Sequence, residues 1–408
     1  MWVLLVLLLL PSSYSFNKGI LKFVNVLYRH GDRTPVNFYP NDPYKNLSNW
    51  PTGPGQLTPR GMKMQYELGQ YLRKRYDGFL NATYSKEDIF IRSTDFDRTL
   101  MSALSNLAGL YPPEGSQIWN PNLLWQPIPV HTVPGIHDII LGSQFECPKF
   151  KLLRNITINK DPYFKALNEK YKLLYSYVTK HSGQLIDNIE YITYIHDTLF
   201  IEELYNKSLP EWTKKVYPEP LNKLSAISFV AETWTKELKR LKSGLFIARL
   251  LHNFEKAMDS TSPDFIMYSA HDNTVSGLLN SLGIFDIQIP PYASCVIMEL
   301  HQSPNGSMLL RFQYRNDTTK PPYDLILPGC TLFCPLESFK ELTSPIRLSV
   351  EEWKAECQID STINVVRIVS VFVAILFLMI MIISVTYVIH RKLRHNDSGY
   401  VSIVQEPH

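Results

Sequence analysis

The segment Arg29-His30-Gly31-Asp32-Arg33-Thr34-Pro35 places two guanidiniums and one imidazole within five residues. Arginine offers a planar fork of donors that matches phosphate oxygens, so this is an oxyanion-binding composition. A third guanidinium, Arg98, follows Ser93-Thr94-Asp95-Phe96-Asp97, and a His-Asp pair, His271-Asp272, follows Tyr268-Ser269-Ala270. Arg29, Arg33 and Arg98 can together hold a dianion. Phosphoryl transfer asks mainly for such positioning and charge stabilisation, plus a nucleophile and a leaving-group acid. His30 and Asp272 can fill those two roles, and Gly31 would let the backbone approach a ligand closely. The plainer alternative is that Arg29 and Arg33 pair with Asp32 and Asp42 and that His30 is a loop histidine.

Such clusters need rigid elements to aim them. Each one ends a short apolar, β-branched run, at residues 21–28, 88–93 and 263–270. After the second and third runs the spacing turns helical, with Asp95 as the expected N-cap of the second and a helix to about residue 282 after the third. Thr58-Pro59 predicts a further helix to Tyr76, with Thr58 as N-cap and proline at its first position. ASCVIMEL and MLLRFQYR, joined by Pro304-Asn305-Gly306, predict a β-hairpin. The stretch from about 111 to 260 carries mostly helical signals. The fold class expected is therefore α/β: a mostly parallel central sheet with flanking helices, the site at the strands' C-terminal ends and a smaller helical cap.

The 408 residues, 45% of them apolar and 19% charged, suit a globular chain with a large core. A net charge of +3 without a basic arm or stripe argues against nucleic acid as a partner. Residues 1–15 read as a signal peptide, with Ser13 and Ser15 placed as the small residues before cleavage. Residues 368–389 are uncharged and long enough, at 22 residues, to cross a ~30 Å hydrocarbon core as a helix. Arg391, Lys392 and Arg394 follow, which predicts a type I single-pass anchor: a lumenal domain at 16–362, stem and transmembrane helix at 363–389, and a cytosolic tail at 390–408. Six sequons, at Asn46, Asn81, Asn155, Asn206, Asn305 and Asn316, fall on the lumenal side and are expected to carry glycans; a seventh, Asn396, falls on the cytosolic side. In the tail, Tyr400 is followed three positions on by the bulky Ile403. Sorting adaptors read such patterns, which would return the protein to endosomes and lysosomes. The five cysteines predict disulfides with one thiol left over, and Cys330 and Cys334 are spaced to close a small loop. None has the company that a metal site needs.

RHGDRTP, STDFDRTLMSA, WQPIPVHTVP and YSAHDNTVSG together resemble the signatures of the histidine acid phosphatase family, above all its lysosomal and prostatic members, over about residues 21–357. The resemblance implies a histidine phosphatase-like fold, often a homodimer, with no cofactor and no metal. It implies an acid phosphatase acting on small phosphomonoesters or phosphoproteins through a phosphohistidine. By the same resemblance His30 is the nucleophile, Arg29, Arg33, Arg98 and His271 are phosphate ligands, and Asp272 is the proton donor. It also implies the disulfides Cys147 with Cys357 and Cys330 with Cys334, and residence in the lysosome or endosome membrane or, alternatively, the plasma membrane. The chain departs from the family at Ile201, where relatives carry a cysteine whose partner matches Cys295; Cys295 is therefore expected to be an unpaired, buried thiol. Two rival readings are a catalytically idle surface receptor of the same fold and a phytase or mutase-like enzyme of narrower substrate range.

Overall fold

Strand β1 (Ile20–Arg29) is apolar at consecutive positions because both of its faces are covered: Phe23 and Leu27 join one buried cluster, while Val24, Val26 and Tyr28 join another. The strands that follow are β2 (Ile89–Ser93), β3 (Phe265–Ala270), β4 (Cys295–Gln302), β5 (Met308–Arg315), β6 (Tyr323–Leu325) and β7 (Cys334–Pro335). They form one sheet in the order β2-β3-β1-β4-β5-β6, with β7 pairing to β5. This computed structural model describes residues 19–142, 145–259, 263–359 and 361–397. The signal segment and the Tyr400/Ile403 motif lie outside those residues.

The sheet is mixed rather than mostly parallel: among the described residues, two of its six strand pairings, β2 with β3 and β3 with β1, are parallel. Parallel pairing demands a long crossover, whereas β4 and β5 are joined by the five residues 303–307, in which Gly306 takes φ +86°. That left-handed conformation is cheap only for glycine.

The helices are α1 (Pro59–Arg75), α2 (Asp97–Leu110), α3 (Pro148–Lys160), α4 (Pro162–Lys170), α5 (Lys172–Ser182), α6 (Ile189–Leu204), α7 (Leu221–Ala231), α8 (Lys236–Met258), α9 (Asp272–Ser281), α10 (Leu336–Thr343), α11 (Val350–Glu356) and α12 (Ser361–Asp397). α1 starts as its sequence predicts, with Thr58 Oγ1 accepting from Gly61 N. α2 starts later than expected: Phe96 is its N-cap without a side-chain bond, Asp95 is exposed, and Asp97 supplies the negative charge of the first turn. α1 and α2 cover one face of the sheet through Leu68, Leu72, Ala103 and Leu107. α8 and α9 cover the other through Phe246, Leu250, Phe254, Val275 and Leu278. Each such leucine, valine or phenylalanine contributes roughly 1.5–3 kcal/mol of transfer free energy when fully buried.

α3 to α7 gather around a core of their own, including Ile158, Phe164, Val178, Ile192, Leu199 and Leu224. α8, which the sequence reading grouped with the cap, lies against the sheet instead, because its apolar face meets β-strand residues rather than that core. Cys147 is bonded to Cys357 and Cys330 to Cys334, and Cys295 is a buried free thiol. The chain up to Cys357 is one unit; a second runs from Gln358 and holds α12. Within α12, Val369–Leu393 has the length and composition to cross a membrane.

Candidate active site

The parallel half of the sheet aligns three strand ends: Arg29 is opposite Ala270, and Ser93 opposite Ser269. Those strand ends and the segments leaving them bring together Arg29, His30, Arg33, Arg98, His271 and Asp272, of which Arg29, Arg33 and Asp272 line a cleft of about 1320 Å³ between sheet and cap. Arg29, His30, Arg33 and His271 are only 4, 2, 7 and 3% exposed, so whatever binds here is read by nearly water-free groups. The missing Cβ of Gly31 serves the fold, not a ligand: a Cβ there would stand 2.3 Å from the Gly61 carbonyl oxygen, which lets the loop pack onto the first turn of α1.

His30 is held through its backbone. Its N–H donates to Ala270 O at 3.0 Å, and its carbonyl accepts from Ala293 N at 3.1 Å. Its Nδ1 lies 2.8 Å from Gly31 O, which can only accept, so Nδ1 carries the proton and Nε2 keeps its lone pair. Burial, reinforced by Arg29, Arg98, Arg33 and His271, drives the His30 pKa well below the usual imidazole value. The ring is therefore neutral even in acid, which is the state a nucleophile needs.

Each arginine is pinned along part of its fork while its buried Nε finds no acceptor among the described residues. Arg29 donates from Nη1 to Pro290 O at 2.6 Å, pairs through Nη2 with Asp272 at 2.8 Å, and stacks 4.2 Å from the centre of the Tyr292 ring. Arg33 is gripped by Asp197 of α6. Arg98 lies over the Phe96 ring at 4.7 Å, and its pKa is lowered to about 10 by burial and by Arg33. Three guanidiniums set against the two carboxylates Asp197 and Asp272 leave the site with an excess of positive charge, which suits an anion.

His271 is engaged at both nitrogens. Arg98 Nη2 faces Nδ1 at 3.4 Å, so Nδ1 accepts, and Nε2–H donates to Thr94 Oγ1 at 2.9 Å. Burial and Arg98 lower its pKa to about 3, so it is neutral, and as placed it orients Arg98. Burial raises the Asp272 pKa, but Arg29, Arg33 and His271 outweigh it and hold the carboxyl below its usual range. In the free site Asp272 is thus an anion.

Neither arginine takes the partner that the plainer reading assigned: Asp32 instead accepts from Thr58 Oγ1 at 2.6 Å and from Tyr205 OH at 2.5 Å. Sequence reasoning missed Asp197, Tyr292 and Thr94. Thr94 lies within a quoted motif, but the other two are joined to the site only by the fold. Five of the sequon asparagines, Asn46, Asn81, Asn155, Asn206 and Asn305, are exposed; Asn316 is half-buried at the cleft, with Nδ2 donating to Gln288 at 2.9 Å.

The chain is 46% identical to prostatic acid phosphatase of Rattus norvegicus over 343 residues, covering 83% of this chain and 89% of that one. It is 42% identical to lysosomal acid phosphatase of the same species over 371 residues, covering 89% and 87%. Among solved structures, the apo phytase of Hafnia alvei superposes with a TM-score of 0.64 at 16% identity, covering 84% of this chain and 99% of that one. That likeness speaks for the fold alone. Residues 20–315 match the family model of the histidine phosphatase superfamily (branch 2), and with relatives this similar over most of its length, the chain belongs to that family.

Proposed function

We propose that this chain is an acid phosphatase that hydrolyses phosphate monoesters to alcohol and orthophosphate through a phosphohistidine on His30. The observation that carries this reading is the His30 tautomer: a neutral imidazole with Nδ1 bonded to Gly31 O, Nε2 left with its lone pair, and the charges of three arginines acting on the ring. Nε2 attacks phosphorus, a nitrogen–phosphorus bond forms, and the ester oxygen leaves. Asp272 gives that oxygen its proton, then takes one from the water that hydrolyses the intermediate. Asp272 is an anion in the free site. A monoester's second pKa is about 6, so at acid pH the substrate arrives carrying a proton. As the arginines are neutralised by the bound phosphoryl group, the carboxyl regains its affinity and takes that proton over. Acid preference then follows from the proton inventory of substrate plus Asp272. The direct test is turnover of p-nitrophenyl phosphate at pH 5 by the full chain in detergent, with β-glycerophosphate and inositol hexakisphosphate beside it; no turnover of any ester would refute the reading.

The remaining assignments belong to the same proposal. Phosphate is held by Arg29, Arg33 and Arg98, with His271 in support. Exposed Ile118, Trp119, Leu123 and Leu124, in the segment beyond α2, are apolar surface that a homodimer would cover. The span in α12 supports a type I anchor with the catalytic unit lumenal in lysosomes or endosomes or at the cell surface, glycans at the exposed sequons, and an adaptor reading Tyr400 and Ile403.

A further inference from the structure

α6 touches the loop that follows His30 at four points along one side. Asp197 holds Arg33, Thr198 Oγ1 donates to Asn37 O at 2.9 Å, and Tyr205, just past the helix end, donates to Asp32. The fourth point joins two acids. The Glu202 and Asp42 carboxyls lie within hydrogen-bond reach of each other, 0% and 3% exposed.

Asp42 Oδ1 accepts from Tyr44 N at 2.6 Å. Among the described residues, its Oδ2 and both Glu202 oxygens meet no donor. The nearby cations bond elsewhere, and their charges act on the pair more weakly than burial does. Lys45 donates to Pro40 O at 2.6 Å, and Lys207 donates to Asn49 at 3.2 Å above the Tyr44 and Trp50 rings. The remaining titratable neighbour is the buried Tyr39 hydroxyl, held neutral by burial and by the two acids. Two touching, buried carboxylates with no cation bonded to them repel strongly, whereas one shared proton turns the contact into a hydrogen bond.

We infer that Asp42 and Glu202 share a proton that clasps α6 to the loop after His30, and that loss of this proton loosens the setting of Arg33 through Asp197. Glu202 and Asp42 are thus positioning residues. They touch neither substrate nor the reacting atoms. The kinetic consequence rests on the phosphatase reading; the clasp itself does not.

Burial, then the hydrogen bond to Asp42 and its charge, raises the Glu202 pKa to about 9. An unfolded glutamate titrates near 4.3. A raised folded pKa means that the folded state holds the proton more tightly. The clasp's contribution is therefore complete below the unfolded value, falls as pH climbs from there to about 9, and is level above.

The experiment compares wild type, Glu202→Gln and Asp42→Asn, each as full-length chain in detergent, since an amide supplies the shared hydrogen without ionising. Between pH 5 and pH 9 the wild-type Tm should fall by about 5 °C or more relative to either amide variant. The ratio of kcat/KM, wild type to variant, should fall about tenfold over the same range, mostly through KM. Taking ratios cancels the titration of substrate and of Asp272. Differences in Tm independent of pH would overturn the clasp, whatever the activity. A pH-dependent Tm difference with a flat kinetic ratio would keep the clasp and refute its link to Arg33. If neither variant folds, infrared spectra of the wild type decide: a protonated-carboxyl stretch at pH 7 that fades towards pH 10 is required, and its absence refutes the shared proton.

Discussion

Arg33 gives both terminal nitrogens to a single carboxylate from the cap, with Nη1 2.9 Å from Asp197 Oδ2 and Nη2 3.0 Å from Oδ1. Asp197 both aims this guanidinium and cancels part of its charge, which on the proposed reading attracts phosphate. Two unit charges several Å apart interact by roughly 2 kcal/mol at an effective dielectric constant of 20. Asp197→Asn keeps one hydrogen bond and removes the charge, so inorganic phosphate should inhibit at least about tenfold more tightly. An unchanged inhibition constant would mean that Asp197 only positions.

On the proposed mechanism, the His30 tautomer specifies the atom that is phosphorylated. Because Nδ1–H is committed to Gly31 O, the phosphoryl group should sit on Nε2. Rapid base quench followed by ³¹P NMR distinguishes the two isomers; label on Nδ1 contradicts the assignment. His30→Ala should abolish turnover of every ester whatever its leaving group.

Asp272→Asn separates protonation from binding. A nitrophenolate departs with little help, whereas an alkoxide needs the proton, and general acid catalysis is worth about 10²–10⁴-fold. β-Glycerophosphate should therefore slow far more than p-nitrophenyl phosphate where phosphorylation limits turnover. Equal slowing of both, with phosphorylated His30 still accumulating, would place Asp272 in dephosphorylation or phosphate binding.

Cys295 lies on β4 with its thiol pKa pushed up to about 12, chiefly by burial. A buried neutral thiol behaves as a small hydrophobe and reacts poorly. Native protein should resist iodoacetamide, and unreduced, denatured protein should show one alkylatable cysteine per chain. Any cross-link to Cys295 in a non-reducing peptide map contradicts this.

Tyr400→Ala should raise the surface-labelled fraction of the full chain several-fold if adaptors retrieve it from the plasma membrane. An unchanged distribution retires that sorting role.

The site's chemistry was legible in the sequence where one strand end and its loop carry the residues together: Arg29 to Arg33 after β1, Arg98 after β2, and His271-Asp272 after β3. Local rules also located α1 through Thr58 and Pro59 and the membrane-length segment. These are properties of contiguous residues, and short-range sterics and apolar periodicity express them directly. What depends on residues 160 or more apart was decided only by tertiary structure. Asp197 meets Arg33 across 164 positions, and Glu202 meets Asp42 across a similar gap, because α6 folds back over the loop after His30. Strand order belongs to the same class, since a run of β-branched residues does not state its neighbour's direction. Charge state does too. The anionic Asp272 and the neutral His30 are set by burial and by which arginines lie beside them, and no single segment of the chain contains those quantities.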